Sequence, residues 1–251
     1  MENFPDWSDI LLALIFGIAV PFISGVKSAA QMKETPMMFD SATKKRFYIG
    51  NSLFLAIMGV IILISWLLHS RPFSRLGFNF PSTDQYTLCI VLTFLFIGLY
   101  IMDIVHGMFS PDENEEAEKQ AESQTPFLPA EWNEIPSYFV MCLSAGVFEE
   151  IVYRGFLVTF FQQIFTGIPS ASTWALLTPA LVFSLAHYYQ GPKAVFKILV
   201  LSLLFGMIFW YSQSLLIVII LHTLVDLSGG ILSIIMAKKK LAKNDEEDQF
   251  D

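Results

Sequence analysis

Seven times along this chain the residues turn apolar for long enough to cross a lipid bilayer. The hydrocarbon core is about 30 Å thick, so a crossing helix needs roughly 20 predominantly apolar residues. Runs of that kind cover residues 7–25, 47–69, 86–108, 139–165, 173–189, 194–211 and 215–236. The sequence therefore predicts an all-α, polytopic transmembrane helical bundle of about seven spans. It forms one membrane domain over residues 1–251, since no internal repeat is visible. Hydrophobic residues make up 54% of the chain and charged residues 15%, with a mean hydropathy of +0.56. Soluble domains hold about 45–50% apolar and about 25% charged residues. The lipid bilayer is accordingly the first partner.

The segments between the runs set the organisation. Pro21 is expected to bend or end the first span, and Gly191–Pro192 breaks the fifth from the sixth. Residues 71–85 read as an amphipathic connector lying at the interface. Residues 110–135 form an acidic loop that is expected to be disordered at its start and to return along the membrane through residues 126–136. A tail follows over residues 237–251. Net charge is −8, drawn largely from that loop and the tail, and no basic patch suited to nucleic acid appears. Cys89 and Cys142 both fall inside apolar runs, as small hydrophobes rather than a disulfide or metal pair. The acidic start before the first run does not read as a cleavable leader.

Basic residues orient the bundle. Twelve of the 15 Lys and Arg fall on the side that holds the C-terminal tail, and only Arg71 and Arg75 on the other. The positive-inside rule puts the C-terminus in the cytoplasm. The expected location is multi-pass, in the cell membrane of a prokaryote or the endoplasmic reticulum of a eukaryote.

Against that apolar background, Glu149, Glu150 and Arg154 stand within six residues of one another in the fourth run. Ionisable groups at membrane depth are rare and usually face a bundle interior or a wet cavity. Glu150 and Arg154 are four apart, with the acid N-terminal, which suits an ion pair on one helix face. Glu149 points about 100° away and stays free for chemistry. Two further runs bring polar groups inward. Phe183 and His187 stand four apart in the fifth, and His222 and Asp226 four apart in the seventh. Asp103 and His106, near the end of the third, read as pairing with each other or reaching to the interface.

A Glu, two His and an Asp in a dry cavity suit hydrolysis by an activated water. A buried carboxylate serves as general base, with one His sharing the water. A second His, oriented by Asp226 or donating beside it, stabilises the oxyanion. No serine stands in an evident nucleophile motif. Glu149, His187 and His222 also compose a two-His, one-carboxylate set suited to zinc with an open position, although the HExxH pattern of a single metal-binding helix is absent. Both readings stay open at the level of residues. So do a non-proteolytic immunity or scaffold protein and an ion-coupled transporter. Transport is disfavoured by the lack of a half-and-half repeat.

The pattern EEIVYR, FSLAH and HTLVD, in that order on separate spans, resembles the CPBP intramembrane protease family. That family includes the type II CAAX prenyl endopeptidases, or Ras-converting endopeptidases, and ABI-type immunity relatives. The resemblance covers residues 136–236. It implies a membrane endopeptidase, glutamate-type or metallo, acting on a lipidated or membrane-protein substrate. It assigns Glu149 and His187 to water activation and His222 and Asp226 to the oxyanion site. Glu150 and Arg154 would support the site, and Phe183 would line it. Asp226 departs from the asparagine of the eukaryotic prenyl endopeptidases. An ionised Asp cannot donate to an oxyanion, so it must carry a proton, orient His222 or bind a metal.

Overall fold

The computed structural model describes residues 4–30, 39–81, 85–109 and 125–247. The start of the acidic loop and the end of the tail lie outside these. Seven main helices follow in chain order: α1 (Trp7–Ala30), α2 (Ser41–Leu68), α3 (Tyr86–Phe109), α4 (Trp132–Ile164), α5 (Ala171–Ala186), α6 (Pro192–Ser212) and α7 (Leu215–Glu247). Among the described residues there is no strand. Six of the helices are long and apolar enough to cross a membrane. The expected helical membrane bundle is thus what the chain forms.

Three local features depart from the expectation. Pro21 does not end α1; the helix runs on to Ala30, with π-helical stretches at Ile15–Ala19 and Phe22–Lys27 absorbing the misfit of the proline ring. α5 has 16 residues, about 24 Å at 1.5 Å per residue, and is too short to cross alone. It stops at Ala186, so His187 is the residue that caps the helix rather than part of its face. α4 carries π-helical turns at Ala145–Glu149 and Ile151–Leu157. Widened turns of this kind recur at functional sites; here the first ends on Glu149 and the second begins just after Glu150.

α4 is the central element. It packs on α2, α5 and α7, while α6 bridges α5 and α3. Its apolar face buries Ile151, Val152, Phe156 and Leu157 among Phe16, Met58, Ile62, Leu215 and Val218. Gly146 lets α7 approach closely, because a Cβ there would collide with the side chain of Thr223. Cys89 and Cys142 are buried free thiols.

Both connectors read as interfacial also make contacts to the protein. Residues 73–76 form a short 3-10 turn whose Leu76 is fully buried, and Gly77 O accepts from Leu215 N at 2.9 Å. The returning segment 125–134 is pinned to α2. Tyr48 Oη donates to Phe127 O at 2.6 Å and Lys44 Nζ to Leu128 O at 2.7 Å. Glu134, also buried, faces Lys44 at 3.7 Å and accepts from Ala130 N at 2.8 Å.

At one end of the bundle a buried cation ties α1 to α2. Arg71 grips Asp9 with two nitrogens, at 2.7 and 2.8 Å, and reaches Asp6 at 2.9 Å. The guanidinium also lies 4.8 Å from the Phe4 ring centre and 5.1 Å from that of Trp66. Arg71 was expected only as a loop charge; folding makes it a clamp. Asp103 likewise does not pair with His106 but with Lys197 of α6.

Candidate active site

The polar residues singled out from sequence gather where α4, α5 and α7 meet. Glu150 is fully buried and takes two charge-assisted bonds on a single oxygen. Arg154 Nη1 reaches its Oε1 at 2.6 Å, and His222 Nδ1 does so at 2.7 Å. The expected pairing of Glu150 with Arg154 is therefore present, but the carboxylate also bridges to α7. A carboxylate paired with arginine is an acceptor only, so Nδ1 of His222 carries a proton. That fixes which face of the imidazole is free.

The free nitrogen, His222 Nε2, points between two carboxylates. Glu149 Oε2 and Asp226 Oδ2 each lie 3.6 Å from it. Asp226, expected to orient His222 or to donate beside it, lies on the Nε2 side. The orienting bond comes from Glu150 on the opposite ring nitrogen, and Asp226 sits on the reactive side. Asp226 is the most open of the group, with its side chain 34% exposed against 17% for Glu149. The cluster thus opens on the Asp226 side.

His187 approaches from the end of α5. Its Nδ1 lies 2.8 Å from Phe183 O, and a carbonyl only accepts, so this nitrogen holds the proton and Nε2 is left with a lone pair. The Phe183 ring lies 4.7 Å from the His187 ring and 6.0 Å from that of His222. Phe183 also covers the Arg154 guanidinium at 4.9 Å. Tyr153 meets the same ring edge-on at 4.9 Å. A row of rings then leads away from His187 through Tyr189 to Phe127, at 6.1 Å for each step.

Among the described residues, no group of three or more His, Cys, Asp or Glu side chains is placed to hold a metal ion. Glu149, His187 and His222 therefore do not stand as a ready ligand set in this geometry. Glu150, which could complete another set, is already committed to Arg154.

Sequence reasoning missed the contribution of α6. Ser202 Oγ accepts from Arg154 Nη2 at 2.9 Å, with Ser202 O at 3.3 Å. Phe205 stands 5.3 Å from the same guanidinium and 5.9 Å from the His222 ring. A lone serine and a phenylalanine in an apolar run carry no spacing signal, so nothing along the chain marks them.

A helical membrane bundle with acids and imidazoles converging at its centre defines a class of intramembrane protein with an ionisable core. The particular family follows from comparison: residues 131–228 match the family model described as type II CAAX prenyl endopeptidase Rce1-like. The resemblance read from the three motifs is borne out over this segment, which is similar to the Rce1-like domain. It begins just before α4 and ends within α7, so it contains every residue of the cluster. No curated protein and no solved structure matches the chain.

Proposed function

We propose that the protein is an intramembrane endopeptidase that hydrolyses a peptide bond of a lipidated or membrane-embedded substrate, as CAAX prenyl endopeptidases do. The observation that carries this reading is the convergence of Glu149 and Asp226 on His222 Nε2, at 3.6 Å each, within a bundle of apolar helices.

In the proposed reaction, Glu149 takes a proton from a water whose other hydrogen is held by the lone pair on His187 Nε2. The water oxygen bonds to the scissile carbonyl carbon, and the carbonyl electrons move onto oxygen. His222 enters the reaction as the imidazolium, with its Nδ1 proton held by Glu150, and donates its Nε2–H as a hydrogen bond to that oxyanion. Asp226, when protonated, donates beside it. The carbon–nitrogen bond then breaks as the proton taken by Glu149 passes to the leaving amine, giving a free amino group and a carboxylic acid whose remaining proton is taken up by His187 Nε2. Burial among Phe183, Phe205 and Tyr153 strengthens each polar contact by excluding water. No step requires a metal. In this reading the C-terminal tail, with Lys238, Lys239, Lys240 and Lys243, faces the cytoplasm.

The test is cleavage of a farnesylated CAAX peptide by the purified protein in liposomes. Glu149→Ala and His187→Ala are expected to abolish turnover while leaving the melting midpoint within a few degrees of wild type. Unchanged cleavage by both variants would refute the assignment.

A further inference from the structure

We propose that Ser202 on α6 is a positioning residue for the cluster: by holding Arg154 it keeps Glu150 available to orient His222. α6 carries none of the three motifs, yet it supplies the only contacts to Arg154 Nη2 among the described residues. Ser202 is 3% exposed and Arg154 2%, so water does not substitute for either.

Glu150 has two oxygens, but Oε1 receives both Arg154 and His222 while Oε2, buried, has no hydrogen-bond partner. An arginine beside a carboxylate ordinarily forms two parallel bonds, one to each oxygen. Here the fork is prevented from closing on Glu150, because its second arm is engaged at Ser202. The guanidinium plane is further held between the Phe183 and Phe205 rings, at 4.9 and 5.3 Å. Without the Ser202 hydroxyl, only its carbonyl at 3.3 Å would retain Nη2. Nη2 would then be drawn to the unpaired Oε2, and the carboxylate would rotate to match the fork. Oε1 would move off the His222 Nδ1 proton. His222 would lose the bond that sets its tautomer and ring plane, and Nε2 would no longer be aimed between Glu149 and Asp226.

The structural part of this proposal stands on the hydrogen-bond chain from Ser202 to His222; its kinetic part rests on the proposed hydrolytic reading. Threonine and valine at position 202 have nearly the same volume and differ by the hydroxyl, so the pair isolates the bond from the packing. The full-length protein in detergent is labelled with 15N-histidine, and the His222 resonances are assigned by their loss in His222→Gln. Ser202→Thr is expected to keep the wild-type Nδ1–H signal of His222, and Ser202→Val to shift or broaden it. With a farnesylated CAAX peptide as probe, Ser202→Val should lower kcat about ten- to a hundredfold, as displacement of a reacting group does. Its KM should stay within about twofold, and Ser202→Thr should restore kcat. Ser202→Ala, which is smaller, gives the same contrast where valine is not accommodated. Valine and threonine variants with identical His222 signals would overturn the proposal. If the wild type cleaves no peptide, the hydrolytic reading fails, while the spectroscopic comparison still decides the role of Ser202.

Discussion

The Arg71 clamp offers a quantitative test of how the first helix is held to the bundle. The Arg71 side chain is 2% exposed and that of Asp9 1%, and they form two parallel bonds of 2.7 and 2.8 Å. Replacing one member of a buried pair leaves the other as an uncompensated buried charge, at a cost of about 3–5 kcal/mol. Asp9→Leu leaves Arg71 with Asp6 at 2.9 Å, which places the expected loss near the lower end, about 3 kcal/mol. Arg71→Met leaves Asp9, buried, with the Asp6 amide at 2.9 Å in place of its guanidinium, and belongs toward the upper end. For a chain of 251 residues, 1 kcal/mol moves the melting midpoint by roughly 2–4 °C. Asp9→Leu should thus melt about 6–12 °C below wild type, and Arg71→Met lower still. The double variant removes both charges, so its loss should be well below the sum of the two single losses. The assay is tryptophan fluorescence during thermal unfolding in one detergent, with Trp66 stacked on the clamp as a local reporter. Two small and additive losses, each under about 1 kcal/mol as for an exposed pair, would refute the reasoning.

Two further outcomes follow. Because Glu149, His187 and His222 do not form a ligand set here, treatment with a chelator and dialysis should leave peptide cleavage unchanged; loss of turnover restored by added zinc would overturn a metal-free reaction. Asp6, just ahead of α1, has its carboxyl held below the usual range. Partial burial pushes it up, but bonds from the Ser8 hydroxyl and the Asp9 and Ser8 amides, with the nearby His69, outweigh that. A depressed folded value means that this contribution is complete above the ordinary aspartate range and is lost as pH falls through it. Asp6→Asn should therefore flatten the decline of the melting midpoint below about pH 4, whereas an unchanged acid decline would sink that account.

The site was partly legible along the chain because helices repeat. Spacing of four brings Glu150 to Arg154 even through the widened turns of α4, and the length of apolar runs alone dictates membrane helices. Spacing could not say which acid would hold His222. Glu150, read as spent on Arg154, holds it, while Asp226 lies on the other side of the ring. Along the chain the apolar character of residues 126–136 suggests a return along the membrane but names no partner; Lys44, Tyr48 and Glu134 satisfy part of its backbone within the protein.

The sequence by itself determined that this is a bundle of membrane helices and which three of them carry ionisable groups inward. Lipid leaves the backbone few choices, and a charge among apolar residues is visible wherever it stands. Only the tertiary structure decided which partner each charge takes, since hydrogen bonds between helices depend on relative rotation and depth. It alone brought Ser202 and Phe205 of α6 against Arg154, and Arg71 into the grip of Asp9 from 62 residues away.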